Sequence, residues 1–269
     1  MTYIVIPRLQ VRNANAQPAW WMIGPPAMTA YAGFVHALKL KLGIDSILSF
    51  GVVHHDIQFL GETVFGDLHH LHPHQFRAAA LIDKGDYSSK NANVLSSQPS
   101  ARCHLEVSIV VRLPAEETFD PDIVNAFLRG GRLAGGSIVS HADISARGDI
   151  ENVIRKIGTG FAIHERQDLM KKVDGDRDML DVILRLTDPA ANVARREMRD
   201  TSMNWLLPNT LGYLAISDFK ERKNVRGGLP HAYAEPLVGL VQYKSIGTTG
   251  IPFWKMTTPD SKTFLLTTN

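Results

Sequence analysis

The spacing of apolar residues predicts three strands in the first half of the chain. Residues 3–11 and 47–59 are rich in β-branched side chains, which is typical of strands. Residues 103–113 alternate, so a third strand has one apolar and one polar face. The apolar face consists of Leu105, Val107, Ile109, Val111 and Leu113, and the polar face includes His104, Glu106, Ser108 and Arg112.

Helical spacing predicts a first helix over residues 29–42. Thr29 is the expected cap of this helix, and Gly43 is expected to end it. Shorter helices are predicted over residues 150–157 and 177–186.

A further helix is predicted over residues 120–129. Asp120 is a good capping residue and Pro121 suits the first turn. Gly130 is expected to end the helix in the left-handed conformation.

In the remaining segments the apolar residues have no regular spacing. Residues 12–28 are rich in Asn, Pro and Gly and are predicted to form a loop. Residues 62–101 form a long segment of this kind, and we expect a projecting hairpin or an ordered functional loop there. The last third is expected to be irregular, with short strands near residues 213–217, 237–244 and 263–267.

This order of elements predicts an α+β protein. Strand, helix, strand, then strand, helix and a glycine-rich loop is typical of a ferredoxin-like or RRM-like core. We expect this core to span residues 1–145, with a projecting insertion at about 61–101. Residues 146–269 are expected to form an elaborated C-terminal region of helices and short strands packed on the core.

Composition narrows the class of protein further. The chain has 269 residues and a formal net charge of +2, so any nucleic-acid site must be a local cluster of basic residues. The single cysteine, Cys103, excludes intramolecular disulfides and fits the reducing cytoplasm. Neither a signal peptide nor an apolar run long enough for a membrane span is evident. We expect a cytoplasmic protein without a membrane contact.

The glycine-rich loop at residues 130–137 is the strongest candidate for an anion site. Four glycines allow backbone N–H groups to approach a phosphate, and Arg132 adds a planar cation. The predicted phosphate-binding residues are Arg132, Gly135, Gly136 and Ser137. The alternative is a tight connection after a helix. Nucleotide-binding P-loop chemistry is disfavoured, because Gly136 stands where the lysine is required.

A second polar cluster lies near the N-terminus and comprises Arg8, Arg12, Asn13 and Asn15. Arginine holds phosphates or stacks on bases, and asparagine reads base edges. The alternative for Asn13 and Asn15 is that they shape a turn.

Other candidate contacts are scattered along the chain. Arg102 and His104 would flank an edge that faces RNA. His36 either contacts a base or phosphate, or is a satisfied structural histidine. Lys39 shares a helix face with His36 and is a candidate subunit contact. Of Trp20 and Trp21, one ring is expected in the core and the other at a subunit interface.

Two other kinds of chemistry are considered and disfavoured. The alternating His70, His72 and His74 could ligate zinc, but Asp67 is the only close carboxylate, so an exposed, partly cationic loop is favoured and no metal is predicted. Cys103 and His104 point to opposite faces of a strand and cannot form a catalytic dyad. Basic patches are expected to be solvated, with phosphate contact as a minority interpretation. They comprise Arg195, Arg196, Arg199 and residues 220–226.

Several segments, taken in order, resemble one family. The resemblance is carried by residues 7–16 (PRLQVRNANA), 33–38 (GFVHAL), 104–108 (HLEVS), 132–138 (RLAGGSI), 160–162 (GFA), 208–213 and 224–235. Together they resemble the second subunit of the Csy complex, the type I-F CRISPR surveillance particle, within the wider Cas "five" group.

The resemblance implies a non-catalytic RNA-binding subunit without a cofactor. It would hold the 5′ handle of a CRISPR RNA, pair with the large subunit and abut the first backbone subunit. The assembled particle would then recognise double-stranded DNA by guide pairing. The last third is shorter than in other family members, which allows a variant system in which this chain itself contacts target DNA.

Two rival functions remain open at this stage. One is a metal-independent endoribonuclease that processes CRISPR precursor RNA. Its general base would be a histidine, with a lysine or arginine for the phosphate. The candidate bases are His36, His54, His55 and His104. The other rival is a protein-only scaffold subunit.

Overall fold

The computed structural model describes residues 2–74, 76–80, 96–114, 116–173, 177–188, 190, 202–221 and 228–268. The first strands are β1 (Thr2–Asn15), β2 (Ser49–Phe59), β3 (Gly61–Val64), β4 (Asp67–Pro73), β5 (Phe76–Ala80), β6 (Ser96–Ser100), β7 (Arg102–Leu113), β8 (Arg132–Leu133), β9 (Gly136–Ser140) and β10 (Ser145–Arg147). The later strands are β11 (Phe161–Glu165), β12 (Leu206–Ala215), β13 (Ala234–Ser245), β14 (Trp254–Thr257) and β15 (Thr263–Thr268). The helices are α1 (Met28–Leu42), α2 (Pro121–Leu128), α3 (Ile150–Ile157), α4 (Met179–Thr187) and α5 (Ile246–Thr249), and Gln167–Leu169 form a 3-10 turn.

Eleven of the described strands form one antiparallel sheet, so the fold is α+β. The strand order is β11-β13-β12-β15-β14-β2-β7-β1-β9-β8, and β10 pairs with β1. Strand β11 also pairs with β2, which closes the six strands from β11 to β2 into a ring. Strands β3–β4 and β5–β6 form two separate hairpins within the insertion predicted at residues 61–101. The division into regions 1–145 and 146–269 stays a prediction, and strands of both belong to this sheet.

Helices α1 and α2 cover one face of the sheet. Their apolar sides pack on the inward-facing residues of β1, β2 and β7, and the rings of Phe34 and Phe127 lie 5.2 Å apart. The five apolar residues predicted for one face of β7 are all buried there. Burial of this face is the main source of hydrophobic stabilisation for the central strands.

Helix α3 covers only one end of the opposite face. Its Val153 and Ile157 pack on Val5, Val53 and Val110. Beyond these residues the outward-facing positions of β1 and β7 become polar. The fold therefore leaves part of this face open for binding.

The ring of strands closes around a buried tryptophan. Trp254 is fully buried, and its indole N–H donates a 2.9 Å hydrogen bond to the carbonyl of Ile163. Since β14 pairs with β2, Trp254 lies beside Phe50 and ties the C-terminal strands to the helix-covered core. The strands predicted near residues 237–244 and 263–267 are confirmed as parts of β13 and β15, but β12 and β13 are longer than expected and the described part of the last third is less irregular than predicted.

Two boundary predictions near the N-terminus are corrected. β1 continues to Asn15 instead of ending at Val11, because it finds partners on both edges. Helix α1 begins after Ala27, with no side-chain cap, so Thr29 is not its cap. The predicted end is confirmed, since Gly43 has the left-handed φ of 70°.

The predictions for α2 are confirmed. Asp120 is the N-cap and accepts a 2.8 Å hydrogen bond from the Asp122 N–H. Pro121 occupies the first turn. Gly130 has a φ of 76°, as expected for the residue that follows this helix.

Replacing Trp254 tests the role of the ring closure. We expect Trp254→Ala to lower the free energy of unfolding by about 3–5 kcal/mol, because a fully buried aromatic side chain is lost. Trp20→Ala is the matched control, since Trp20 is 77% exposed. Its effect should stay within about 0.5 kcal/mol. Urea unfolding measures both, and equal losses would contradict this account of the core.

Candidate nucleic-acid interface

Three exposed polar side chains form a row across the open face of the sheet. Arg12 pairs with Ser137 across β1 and β9, and Ser137 pairs with Arg132 across β9 and β8. Directly opposed residues of neighbouring strands point to the same face. All three are exposed, whereas the flanking Val11 and Leu133 are buried on the helix-covered face. We call Arg12, Ser137 and Arg132 the cationic row.

The residues predicted to form an open glycine loop form a tight hairpin instead. Ala134 and Gly135 have φ values of 49° and 75°. Two successive left-handed residues are typical of the two-residue turn that joins twisted antiparallel strands. The N–H of Gly131 donates to the carbonyl of Leu128, so it belongs to the end of α2. Phosphate binding here would therefore depend on side chains more than on a cradle of amides.

Gly136 allows this hairpin to lie against β1. A methyl group added at Gly136 would lie 2.6 Å from the nitrogen of Ala14 and 2.7 Å from the carbonyl oxygen of Arg12. Both are backbone atoms and cannot rotate away. The absence of a side chain at Gly136 therefore sets the position of the cationic row.

The turn opens onto a cleft of about 830 Å³ at the end of the sheet. Four of the predicted site residues line it, namely Asn15, Trp20, Arg102 and Gly135. The other lining residues are Gln17, Pro18, Ala27, Thr29, Ala30, Ser100, Ala134 and Tyr213. We call this space the end cleft. It brings together residues that are up to about 200 positions apart in the sequence.

The electrostatics of the end cleft favour an anion. The N-terminal end of α1 contributes Ala27, Thr29 and Ala30, and no acidic residue lies in its first turn. The positive end of the helix dipole therefore faces this space. Within the described ranges, no carboxylate lies at ion-pair distance from the guanidinium of Arg12, Arg102 or Arg132.

Asn13 links Arg102 and His104 to the rim of the cleft. Its φ is 57°, and it lies where β1 bulges against β7. Arg102 Nη1 donates a 3.2 Å hydrogen bond to the Asn13 carbonyl, and the Asn13 N–H donates to Nδ1 of His104 at 3.3 Å. Nδ1 of His104 is therefore an acceptor. The Asn15 side chain bonds the backbone of Gln17, so both asparagines also shape the backbone, as the alternative held.

A family model described as CRISPR-associated protein (Cas_Csy2) matches residues 4–258. The chain belongs to the Csy2 family. A similar relative is CRISPR-associated protein Csy2 of Pseudomonas aeruginosa (strain UCBPP-PA14), which is 26% identical over 303 residues, covering 90% of this chain and 86% of that protein. Membership in the Csy2 family supports a subunit of a type I-F CRISPR effector complex.

Arg8 differs from the other predicted arginines of this Csy2-family chain, because it is paired internally. Its Nη1 lies 2.6 Å from Glu106 Oε1, and its Nη2 donates to the carbonyl of Ile157. Gln10 donates to the other oxygen of Glu106. The hydrogen bond from Arg8 lowers the pKa of Glu106. The cation of Arg8 is thus largely balanced, and it stabilises the bulge in β1.

Two candidate catalytic histidines are held neutral by their surroundings. His54 is buried, and the hydroxyls of Tyr31 and Tyr243 lie 2.7 Å and 2.9 Å from its two ring nitrogens. Burial lowers the pKa of His54 to about 3. Both ring nitrogens of His54 are therefore occupied by tyrosine hydroxyls.

His55 is fixed by a directional chain of hydrogen bonds. Its Nδ1 must donate to the carbonyl of Thr159, so its Nε2 accepts from the hydroxyl of Ser108. Ser108 in turn accepts from the N–H of Arg8. Burial lowers the pKa of His55 as well. The chain links β1, β2, β7 and the residues after α3.

The helix and tryptophan predictions have mixed outcomes. His36 is exposed on α1 and does not line the end cleft. Lys39 Nζ donates to the carbonyl of Asp45, which stabilises the turn after α1. Both tryptophans are exposed, at 77% for Trp20 and 44% for Trp21, so the expectation of one core ring was wrong. Assignment of Lys39, Trp20 and Trp21 to a subunit interface stays a prediction.

The described residues show neither a metal-binding cluster nor a membrane-spanning helix. No group of three or more His, Cys, Asp or Glu side chains there is arranged to hold a metal ion. No helix in the same ranges is long and apolar enough to cross a membrane. The basic residues Arg195, Arg196 and Arg199, and residues 222–226 of the second basic patch, lie outside the described residues.

Sequence reasoning missed Thr29 and Tyr213 as cleft residues. Their hydroxyl oxygens lie 3.3 Å apart, so they join the start of α1 to β12. In the sequence, Tyr213 belongs to a predicted late strand and to the family-like segment 208–213, and Thr29 is the expected helix cap. No local pattern indicates that β12 passes beside the N-terminus of α1.

The close approach of Gly136 gives a direct test of the site geometry. We expect Gly136→Ala to lower the free energy of unfolding by about 1–3 kcal/mol, because the new methyl group overlaps backbone atoms of β1. Gly33→Ala is the matched control, since an added methyl group meets no atom within 4 Å on an exposed helix face. That variant should be stabilised by about 0.5–1 kcal/mol. Thermal or urea unfolding measures both variants. Equal changes in their free energies of unfolding would contradict the close approach of Gly136 to β1.

The buried His54 predicts an acid-sensitive fold. Its pKa is about 3 in the folded chain and about 6.5 when unfolded, so the unfolded chain takes up the proton first. Stability is therefore lost as the pH falls from about 6.5 towards 3. Between pH 6.5 and 4.5 the loss should be about 2 kcal/mol. His54→Gln should show a correspondingly shallower dependence of unfolding free energy on pH, and an unchanged slope would contradict the assignment.

Proposed function

We propose that this chain is the non-catalytic subunit of a type I-F effector complex that binds the 5′ handle of the CRISPR RNA. The observation that carries the proposal is the cationic row beside the end cleft. Its two arginines and Arg102 have no carboxylate partner within the described ranges, in a chain whose net charge is only +2. Uncompensated arginines on a nearly neutral protein favour a local phosphate site.

The cationic row holds the backbone of the handle. Arg12 and Arg132 flank Ser137, so two planar cations and one hydroxyl face the same side. Arginine suits this task because its fork of donors matches two phosphate oxygens. Phosphate contacts fix the register of the RNA without reading its sequence.

The end cleft accommodates bases at the 5′ end. Trp20 and Tyr213 line it and offer rings for stacking, which single-stranded RNA uses widely. Arg102, Asn15 and Gln17 supply donors and acceptors for base edges. His104 contacts RNA at the rim, next to Asn13.

The core that carries this site is ferredoxin-like. Strands β9, β1, β7 and β2 are adjacent in that order and antiparallel, and α1 and α2 lie on the same face. This arrangement supports a β-α-β-β-α-β unit in which β1, β2, β7 and β9 are the four strands. In such a unit the sheet face without helices is available for RNA.

The proposed partners follow from the complex. Trp21 is an exposed aromatic residue of the kind enriched at protein interfaces, and it would contact the large subunit or the first backbone subunit. The β3–β4 hairpin would project towards the RNA or a neighbouring subunit. The assembled complex would act in the cytoplasm and recognise double-stranded DNA through guide pairing.

Recovery of bound RNA tests the proposal. The chain would be co-expressed with a CRISPR RNA and the other subunits, purified, and its RNA sequenced. We expect a defined, repeat-derived 5′ end. Arg12→Ala with Arg132→Ala should reduce recovery at least tenfold, because each charged hydrogen bond contributes about 1.5–3 kcal/mol.

Arg155→Ala is the matched control, because Arg155 is exposed on α3 and pairs only with Glu151 among the ion pairs of the described ranges. It should leave RNA recovery unchanged. Assembly of the complex without RNA, or RNA without a common 5′ end, would overturn the proposal.

A further inference from the structure

A second pair of cations lies at the other end of the sheet. Arg112 of β7 and Lys255 of β14 flank Ser49 of β2, and both pair with it in register. Directly opposed residues share a face, so Arg112, Ser49 and Lys255 point to the same side. With strands about 4.8 Å apart, the two cations begin roughly 10 Å from each other.

Arg112 is held in one orientation. Its Nε donates a 3.0 Å hydrogen bond to Ser49 Oγ. Its guanidinium carbon lies 5.0 Å from the centre of the Phe253 ring, which itself packs against Tyr3 with ring centres 5.5 Å apart. One donor and the ring contact fix the plane of the guanidinium. The fork of Nη1 and Nη2 is left to bind a further group.

An open cleft of about 480 Å³ lies beside this pair. It is lined by Ile47, Ser49, Arg112, Lys255, Met256, Thr257 and Thr258. None of these side chains is acidic. In the part of the chain that the structure describes, neither Arg112 nor Lys255 lies at ion-pair distance from a carboxylate.

A purely structural role accounts for only part of this arrangement. Stacking of Arg112 on Phe253 explains its stem and its orientation. It does not explain a lysine on the other side of Ser49 that has no carboxylate partner among the described residues. Two cations, neutral donors and open space match the needs of a phosphate group.

We propose that the Arg112–Lys255 cleft binds a backbone phosphate of nucleic acid, as a contact separate from the handle site. Arg102 and Arg112 stand ten residues apart on β7, which corresponds to roughly 33 Å along an extended strand. One nucleotide cannot span that distance. The choice of nucleic acid as the ligand rests on the proposed function. The phosphate belongs either to a distant part of the guide RNA or to the target duplex.

The test uses the assembled effector complex with its guide RNA. The Kd for target duplex and the rate of guide-RNA release would each be measured over a range of salt concentrations. Lys255→Ala is the main variant, because it keeps the backbone pairing of β14 and removes a side chain that makes no hydrogen bond to the described residues. Arg112→Lys retains the charge but loses the planar fork. Lys41→Ala, exposed at the end of α1, is the matched control.

Loss of one phosphate contact has a defined signature. If the ligand is duplex DNA, Lys255→Ala should reduce the slope of log K against log salt by about 0.9 and weaken binding roughly fivefold near 0.15 M salt. If the ligand is RNA, duplex binding should be unchanged and guide release should become faster, with a slope change of about 0.7. Arg112→Lys should lie between wild type and Lys255→Ala. Either pattern supports the site.

The proposal is overturned if Lys255→Ala matches Lys41→Ala in both measurements. This outcome is distinct from failure of the handle proposal, which is judged by RNA recovery with Arg12→Ala and Arg132→Ala. If Arg12→Ala with Arg132→Ala loses handle RNA while Lys255→Ala has no effect, the handle proposal stands and the second site is rejected. The reverse pattern would leave only the second site.

Discussion

The pairing of β1 along both of its edges is the constraint on which the rest of the structure depends. β7 lies on one side of β1, and β9 and β10 lie on the other. Register then decides which side chains meet, since a slip of one residue would turn each strand over. Arg12 faces outward beside Ser137 because Val11 is buried beside Ile138. The apolar core on one face thus positions the cationic row on the other.

Two bulges adapt β1 to this double pairing. They occur at Arg8 and Asn13, whose φ values of 53° and 57° lie in the left-handed region. Asparagine tolerates this region, whereas arginine adopts it at a cost of order 1 kcal/mol. The ion pair of Arg8 with Glu106 and the bond from its N–H to Ser108 offset that cost. The first bulge therefore serves the fold, and the second presents the rim of the end cleft.

The sheet contains groups with opposite chemical roles. His54, which bonds Tyr31 of α1, and His55, which bonds Ser108 of β7, are neutral, and both ring nitrogens of each are hydrogen-bonded. The exposed arginines remain charged and lack acidic partners in the described ranges. Exposed cations without acidic partners are suited to holding a phosphate backbone.

The sequence was sufficient to predict elements whose signals are local. Asp120 with Pro121, the left-handed Gly43 and the alternation of β7 each depend on a few neighbouring residues. The closure of the C-terminal strands into a ring was missed. β14 pairs with β2, which lies about 200 residues away in the sequence, and the local spacing of apolar residues does not indicate such a distant pairing. The strand at residues 12–15 was missed for a related reason, since Asn13 and Asn15 are turn formers that tertiary pairing overrides.

The candidate site was also predicted in its residue types but not in its spatial arrangement. Residue type and the family resemblance pointed to Arg12, Arg102 and Arg132 before their positions were known. Their meeting in one place depends on the register of β8, β9, β1 and β7. Tyr213 and the start of α1 entered the site only through packing. The glycines were predicted to form an open phosphate-binding loop, but they serve a hairpin, and of the four only Gly131 and Gly136 lack room for a side chain.

Ultraviolet crosslinking of the assembled complex tests the central claim most directly. Crosslinked peptides would be mapped by mass spectrometry for guide RNA labelled at its 5′ end. The account predicts that the 5′ nucleotides crosslink to peptides containing Trp20 or Tyr213, and that Arg12→Ala with Arg132→Ala abolishes these crosslinks. Crosslinks of the 5′ nucleotides confined to the outer face of α1 around His36, or to another subunit, would contradict it.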